Sequence, residues 1–441
     1  MKKLVSLMLV LMLALSCCAF ASADGPVELT FWHAMGGVNG EAIAKMVDDF
    51  NTAYEGKIHV NYEYQGDYDD AFNKIKVAGM DSLPCDLMQV YDIGTRFMID
   101  SGWVKPMQEF VDAEGYDLSQ VEPNIAAYYT VDGKLYSMPF NSSTPLLYYN
   151  KTAFAEAGLD PECPPKTWDE MFEYADKLKV VADDGTVSRY GLGIGNYGWF
   201  FEQWVGKMGL HYVDNNNGRG EAPATKVIFD ENGAGKLILE KWEKLIGEGY
   251  APYLNQGNND AKAAFIAGDV AITLESTAAL KSLLTNVGDS FEIGVGYFPS
   301  INAEDAGGVS VGGGSLWAFN TGDETRQTAT WEFVKFMISP EEQAFWNTQT
   351  GYFPITLAAH ETETFKANLE QYPQFAVAIE QLHDTAPEYA GALLSVFSES
   401  RQLVQDYTET LVTSDTDIDT VLAELVSKIN DAIEIYNLTN Y

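Results

Sequence analysis

The sequence predicts an α/β fold divided between two lobes. Strand-like and helix-like segments alternate from Val27 to Tyr91 in the order β-α-β-α-β, which is typical of a parallel sheet covered by helices. The chain also has 441 residues, too many for one ordinary hydrophobic core. Together these observations indicate two α/β lobes built from a single chain.

Each element of this N-terminal alternation has its own signal. The apolar patterns are Val27–Trp32 for the first strand, Ile43, Met46, Val47 and Phe50 for the first helix, Ile58, Val60, Tyr62 and Tyr64 for the second strand, Tyr68–Ala78 for the second helix and Leu87–Tyr91 for the third strand. Ligands of such sheets bind beyond the carboxyl ends of the strands. Trp32, Tyr68 and Asp92 lie just past or near those ends.

Later helices have clear boundaries in the sequence. Thr167–Glu170 and Ser339–Glu342 are both capping boxes, and the second of them places a proline at the first helical position. Gly351 predicts the end of that second helix, which would fix Tyr352 directly after its last turn. Asp214–Gly220 is rich in Asn and Gly, and we interpret it as a surface turn, because the residue that would complete a calcium loop is a threonine.

Residues 1–23 are expected to form a secretory signal peptide. Two lysines precede the apolar run Leu4–Leu15, and Ala21–Ala23 provides the small residues of a cleavage site. The apolar run is too short for a stable membrane span. An alternative is a lipid anchor on Cys17 or Cys18. Both interpretations predict a periplasmic or cell-surface protein.

The composition narrows the class of partner. A formal net charge of −37 excludes nucleic acid and anionic membranes, because no basic stripe is present. Aromatic residues make up 13% of the chain, and Tyr and Trp are the side chains that line clefts for sugars and polyols. Beyond the signal peptide only Cys85 and Cys163 remain, and the sequence leaves open whether they pair.

The motifs of common enzymes are absent from the sequence. There is no G-x-S-x-G nucleophile elbow, no H-E-x-x-H zinc motif and no phosphate-binding loop. The five histidines are scattered and none has the spacing of helical metal ligands. We therefore predict a protein that is not an enzyme and that uses no metal or cofactor. The principal rival is a secreted carbohydrate hydrolase, which would need two carboxylates roughly 5–10 Å apart across a cleft.

The most informative segment is Phe140–Asn150. It places the hydroxyls of Ser142 and Ser143 and a turn fixed by Pro145 directly before an apolar, aromatic strand. Such a segment presents serine donors at the mouth of a cleft while the strand anchors them in the core.

This segment resembles the crossover of the periplasmic glycerol-3-phosphate-binding proteins, the solute receptors of an ABC importer. Further anchors follow in the same order as in that family, namely Phe31–His33, Gly66–Tyr68, Gln89–Thr95, Pro164–Trp168, Gly268–Thr273, Gly313–Trp317 and Thr350–Thr356. The resemblance implies a two-lobed periplasmic-binding-protein fold of type II, with the lobes joined by crossover hinge strands. It also implies ABC permease subunits as partners, and we expect a monomer.

The resemblance implies a set of ligand-binding residues. Tyr68 and Asp92 would hold the glycerol hydroxyls, while Ser143, Ser276, the backbone N–H of Gly313 and the hydroxyl of Tyr352 would hold the phosphate and Trp199 would line the cleft. The chemistry agrees, because hydroxyl groups need acceptors and a phosphate needs several converging donors. Each of these residues could instead have a purely structural role. Asp92 and Ser276 are placed where helix caps occur, and Tyr68, Trp199 and Tyr352 are of the types that fill cores.

The sequence departs from the family at three places. The phosphate-binding Arg of the family aligns with Leu393, its acid is the shorter Asp92, and its second cleft Trp aligns with Asn196. Leu donates no hydrogen bond to a phosphate, and we expect the nearby Arg401 to face solvent. Glycerol 3-phosphate or a related polyol phosphate is the expected ligand, and a phosphodiester, a polyol and a small neutral saccharide remain candidates.

Each predicted lobe is discontinuous in the sequence. We assign residues 24–139 and 277–320 to the N-terminal lobe, and residues 140–276 and 321–441 to the C-terminal lobe.

Overall fold

The structure is a computed structural model that describes residues 25–79, 82–386 and 389–441. The predicted signal peptide, with Cys17 and Cys18, lies outside the described residues. Among the helices in these ranges, none combines the length and the apolar composition needed to cross a bilayer.

Strands and helices alternate through most of the described chain. The strands are β1 (Val27–His33), β2 (Ile58–Tyr64), β3 (Leu87–Tyr91), β4 (Thr130–Val131), β5 (Lys134–Leu135), β6 (Met138–Ser143), β7 (Pro145–Asn150), β8 (Val180–Val181), β9 (Val187–Gly193), β10 (Val270–Ser276), β11 (Ile293–Tyr297) and β12 (Gly312–Ala318). The helices are α1 (Gly37–Ala53), α2 (Tyr68–Ala78), α3 (Thr95–Asp100), α4 (Met107–Glu114), α5 (Pro123–Tyr129), α6 (Lys151–Glu156), α7 (Trp168–Leu178), α8 (Gly198–Lys207), α9 (Asp214–Asn217), α10 (Ala234–Gly247), α11 (Asn259–Ala267), α12 (Leu280–Val287), α13 (Glu324–Met337), α14 (Pro340–Thr350), α15 (Glu363–Gln371), α16 (Gln374–Asp384), α17 (Phe397–Thr413) and α18 (Ile418–Asn440).

The predicted α/β architecture with two lobes is confirmed. In the described residues, one five-stranded sheet has the order β2-β1-β3-β12-β6 and a second has the order β11-β7-β10-β9-β8. Strands β1, β2 and β3 pair in parallel, as their alternation with helices predicts. The late strand β12 inserts antiparallel between β3 and β6. We call the domain around the first sheet the first lobe and the other the second lobe.

The chain crosses between the sheets at a short junction. Strand β6 of the first sheet ends at Ser143 and strand β7 of the second begins at Pro145, so Thr144 alone separates them. Directly after β10 of the second sheet, the backbone N–H of Thr277 donates to the carbonyl of Thr144 at 2.9 Å. The next strand, β11, still belongs to the second sheet, and the strand order returns to the first sheet between β11 and β12. The side chain of Gln381 also donates to the hydroxyl of Thr144, at 3.1 Å. These two hydrogen bonds hold Thr277 and Gln381 against the β6–β7 junction.

Two parts of the predicted lobe boundaries are wrong. Strand β11, assigned by sequence to the N-terminal lobe, pairs antiparallel with β7 in the second sheet. Helices α13 and α14, assigned to the C-terminal lobe, pack against β1 and α1 of the first lobe. The physical reason is that strand pairing of β11 and helix packing of α13 and α14 are contacts between distant parts of the chain. Local sequence patterns carry no information about such contacts.

The predicted boundaries of local elements are largely reproduced. Thr167 caps α7 by accepting the backbone N–H of Glu170 at 3.2 Å. Ser339 precedes α14 but makes no side-chain cap hydrogen bond, so this part of the second capping-box prediction is wrong. Gly351 ends α14 with a φ of 106°, in the left-handed region that favours glycine.

The predicted surface turn Asp214–Gly220 is only partly on the surface. Asn215, Asn216 and Asn217 all adopt a left-handed backbone, which Asn tolerates better than most residues. The turn directs Arg219 inward, where its guanidinium donates to the carbonyl of Gly391 at 2.6 Å.

Candidate functional site

A cleft with a volume of about 530 Å³ lies between the two lobes. This volume is within the range of small-molecule sites. All of the residues that the sequence predicted as ligand contacts line it, namely Tyr68, Asp92, Ser143, Trp199, Ser276, Gly313 and Tyr352. The structure therefore brings together residues that are scattered over most of the chain.

Tyr68 is held by a hydrogen-bond relay in the first lobe. It is the first residue of α2, and Asp67 caps this helix by accepting the backbone N–H of Asp70. The Tyr68 hydroxyl accepts a hydrogen bond from the Asn141 amide at 2.6 Å, and Asn141 in turn accepts one from Gln89 at 2.8 Å. The Tyr68 hydroxyl is also hydrogen-bonded to Tyr352, and its oxygen retains a lone pair that can accept a hydrogen bond from a ligand hydroxyl.

Gly313 brings backbone close to the cleft where a side chain would not fit. Its φ is 85°, and a Cβ there would lie 2.0 Å from the carbonyl oxygen of Asn141. Its neighbour Gly312 pairs with Ser143 across the first sheet, which places the Ser143 side chain on the same wall. Glycine is therefore required here by both the backbone conformation and the space.

Tyr352 reaches the cleft from the end of α14, as the sequence predicted. The Asn347 amide holds its carbonyl at 2.8 Å, and its ring stacks on Trp346 with 5.6 Å between ring centroids. Burial raises the pKa of Tyr352, so the hydroxyl remains a neutral donor and acceptor.

Trp199 and Ser276 belong to the second lobe. Trp199 lies in the first turn of α8, and a Cβ added to Gly312 of the first lobe would lie 2.6 Å from its ring. The lobes are thus in close contact at this point. The Ser276 hydroxyl accepts the backbone N–H of Ala278 at 3.1 Å, so it caps a short 3₁₀ helix and also lines the cleft. Its proton is not used by the cap, which accepts rather than donates.

Asp92 and Arg401 form an ion pair that joins the lobes. The Arg401 guanidinium lies 2.7 Å from the Asp92 carboxylate of the first lobe and 2.6 Å from Glu202 on α8 of the second lobe. Burial raises the pKa of Glu202 to about 7, against the lowering effect of Arg401. Burial also raises the pKa of Asp92, and Arg401 again opposes that shift. The expectation that Arg401 faces solvent is wrong, because its side chain is buried and lines the cleft.

Three other residues that the sequence analysis singled out near the site do not line the cleft. Leu393 is buried and does not line the cleft, and its backbone N–H donates to the carbonyl of Asn217 at 3.0 Å. Asn196 donates to the carbonyl of Gln405 outside the cleft, while the next residue, Tyr197, lines it. Trp32 donates to Glu63 and is likewise absent from the cleft lining. Leu393 and Asn196 were selected by alignment and Trp32 by its position near a strand end, but none of these side chains lines the cleft.

Sequence reasoning missed several residues of the cleft. Lys262 and Glu275 line it from the second lobe, Ser282 lines it from α12, and Gly36–Asn39 line it at the N-terminus of α1. Glu275 directly precedes the predicted Ser276, so its position at the end of a strand could have suggested it. No comparable signal marks Lys262, which lies within α11.

Metal binding has no support in the geometry. Within the ranges that the structure describes, no group of three or more His, Cys, Asp or Glu side chains is arranged to hold a metal ion. Cys85 is buried and Cys163 is exposed, and both are free cysteines.

The family model for bacterial extracellular solute-binding proteins matches residues 45–375. The chain belongs to this family. The sn-glycerol-3-phosphate-binding periplasmic protein UgpB of Escherichia coli is 32% identical over 386 residues, which cover 85% of each chain. The chain is thus a solute-binding protein of the ABC-importer type and resembles the glycerol-3-phosphate-binding proteins, as the sequence predicted.

Solved structures agree on the fold. UgpB from Mycobacterium tuberculosis in complex with glycerophosphocholine has a TM-score of 0.77 at 22% identity, covering 94% of this chain and 100% of that one. The cyclic alpha-maltosyl-1,6-maltose binding protein of Arthrobacter globiformis has a TM-score of 0.74 at 21% identity, covering 93% and 99%. These similarities confirm the two-lobed type II periplasmic-binding fold.

Proposed function

We propose that this protein captures glycerol 3-phosphate, or a related polyol phosphate or phosphodiester, outside the cytoplasmic membrane and delivers it to an ABC permease. It acts as a receptor rather than an enzyme. The observation that supports this proposal most directly is the convergence of the predicted ligand residues in one cleft between the lobes. The relatives named as glycerol-3-phosphate-binding periplasmic proteins support both the ligand class and the location.

The cleft offers suitable partners for both parts of such a ligand. Ser143, Ser276 and Tyr352 supply hydroxyl donors, and Gly313 allows the phosphate to approach the backbone closely. Tyr68 and Asp92 supply the oxygen atoms that a polyol needs as hydrogen-bond acceptors. Phosphate and polyol groups would therefore be recognised without a bound metal.

Ligand binding would favour the closed arrangement of the lobes. Ser143, Gly313 and Tyr352 belong to the first lobe, whereas Trp199 and Ser276 belong to the second. A ligand that contacts both sets binds the closed state more tightly than the open state, and this difference shifts the population. The junction at Thr144 is where the chain can bend.

A neutral saccharide is the second candidate ligand. Its support is the pairing of Arg401, whose positive charge is already neutralised by the two carboxylates that it contacts. A carbohydrate hydrolase is not favoured, because the matching family and relatives are solute-binding proteins and the carboxylate of Asp92 is engaged in an ion pair.

Isothermal titration calorimetry tests the ligand class. Glycerol 3-phosphate, a glycerophosphodiester and a short oligosaccharide would be titrated separately, and binding of a phosphate compound is the expected result. Small-angle scattering should show compaction at a saturating concentration of the same ligand. Binding of the oligosaccharide alone would replace the proposal by the second candidate, and an unchanged radius of gyration would contradict lobe closure.

A further inference from the structure

Glu275 is a buried carboxylate in the cleft that the proposed contacts do not use. It lies near the end of β10, only 8% of its surface is exposed, and it lines the cleft together with Ser276 and Tyr352. Its Oε1 accepts the backbone N–H of Ser276 at 2.7 Å. The carboxylate is therefore held directly beside a residue that is proposed to bind the phosphate.

The charge of Glu275 has little direct compensation. Among the described residues, no Lys, Arg or His lies within ion-pair distance of it. Burial raises the pKa of the Glu275 carboxyl, and this rise is opposed by Lys262 from longer range and by hydrogen bonds from Ser276 and Asn258. The other cation of the cleft, Arg401, is paired with Asp92 and Glu202. The ionised form of Glu275 therefore places a negative charge at the Ser276 end of the cleft that no ion pair among the described residues neutralises.

A negative potential discriminates between ligands by their charge. A phosphate monoester carries nearly two negative charges at neutral pH, whereas a phosphodiester carries one and a polyol none. The repulsion from a fixed carboxylate is proportional to the ligand charge, and it is strong in a site that is shielded from water. We propose that Glu275 is a specificity-determining residue, which selects phosphodiesters over phosphate monoesters.

This inference rests on the proposed function, because it presumes that the ligand contains a phosphate. It names the class of phosphate compound that the cleft accepts. The size of the cleft agrees, since about 530 Å³ exceeds what a single glycerol phosphate fills and leaves room for a second alcohol group.

The test compares Glu275→Gln with the unmodified protein by isothermal titration calorimetry. The two probes are glycerol 3-phosphate and glycerophosphoglycerol, whose second alcohol is uncharged. Gln keeps the oxygen that accepts the Ser276 N–H but removes the charge. We expect E275Q to strengthen binding of glycerol 3-phosphate about tenfold and of the diester only about threefold, in proportion to their charges.

Two further variants serve as controls. Lys262→Gln should act in the opposite direction and weaken the monoester more than the diester. Glu240→Gln removes an exposed carboxylate on α10 of the same lobe and should change neither affinity. Thermal melting of each variant verifies that it is folded.

The outcomes separate the two proposals. An equal change in both affinities, or none, in E275Q would overturn the role of Glu275 and leave the proposed function intact. Absence of binding of either probe to both proteins would refute the proposed function and this inference with it.

Discussion

The two walls of the cleft differ in chemistry. The first-lobe wall has the neutral groups Tyr68, Ser143, Gly313 and Tyr352, which are held by strands and helix ends. The second-lobe wall carries the charged side chains of Lys262, Glu275 and Arg401. We infer that the two walls have different roles. The neutral wall orients the ligand through hydrogen bonds, and the charged wall discriminates between ligands by their charge.

Asp92 is the exception on the first-lobe wall. Among the described residues that line this wall, its carboxylate is the one charged group, and it is bound to Arg401 of the opposite wall at 2.7 Å. This ion pair connects the walls directly. It also means that the acid expected to bind the polyol must share its oxygen atoms between the ligand and Arg401.

The largest effect is expected when the charged wall loses its central cation. Arg401→Met would leave Asp92 and Glu202 buried without their partner, and breaking such a pair typically costs ~3–5 kcal/mol. Urea denaturation measures the resulting loss in the free energy of unfolding. Adding Asp92→Asn and Glu202→Gln to the same variant should recover most of it. An unchanged free energy in the single variant would show that the three groups are not coupled.

The lobes should also respond oppositely to pH. Burial lowers the pKa of His33 in the first lobe from 6.5 to about 4, so the folded state resists protonation. Between pH 6.5 and 4 the unfolded state binds a proton at His33 that the folded state does not. The free energy of unfolding is therefore expected to fall by up to about 3 kcal/mol as the pH is lowered from 6.5 to 4. Glu202 in the second lobe has a raised pKa of about 7, so its contribution is present below pH 4.5 and is lost as the pH rises through 7.

Single variants separate these two contributions. Denaturation of His33→Gln between pH 4 and 7 should show less loss of stability in acid than the unmodified protein. Glu202→Gln should show the reverse, with less loss as the pH rises. Identical pH profiles for all three proteins would contradict the assigned directions.

The neutral wall should affect affinity more than stability. Tyr352→Phe removes one hydroxyl, and loss of a hydrogen bond to a charged group costs ~1.5–3 kcal/mol, roughly ten- to a hundredfold in affinity. Calorimetry with glycerol 3-phosphate measures the change, and Tyr253→Phe, which alters an exposed tyrosine, is the matched control. A variant with unchanged affinity and an altered melting temperature would identify Tyr352 as a core residue instead.

The smallest effect is expected where the walls touch. Gly312→Ala would place a Cβ 2.6 Å from the Trp199 ring. This steric clash would keep the two lobes slightly farther apart and so oppose their closure on a ligand. Overpacking of this kind costs ~1–3 kcal/mol, part of which the lobes can relieve by shifting. Calorimetry should show weaker binding. Gly247→Ala, in open space at the end of α10, should leave affinity unchanged, and equal effects of both would argue against contact between the walls.

The sequence predicted the neutral wall better than the charged wall, for a physical reason. Tyr68, Ser143 and Tyr352 follow helix starts, strand ends and a glycine stop, all of which are local signals. Arg401 was expected in solvent and Leu393 was aligned with the site, yet Arg401 lines the cleft and Leu393 is buried outside it. A helix can rotate or shift by a few residues without changing its local pattern, so the direction of a side chain on α17 is not a local property.

The sequence by itself determined the α/β class, the strands and helices of the first lobe and a resemblance that pointed to one cleft. Local periodicity and turn chemistry specify such features because they act over a few residues. Only the tertiary structure decided that β11 joins the second sheet, that α13 and α14 cover the first, and that Arg401 pairs with Asp92. Those results depend on contacts between residues far apart in the chain, where packing and charge burial of the whole protein determine which partners meet.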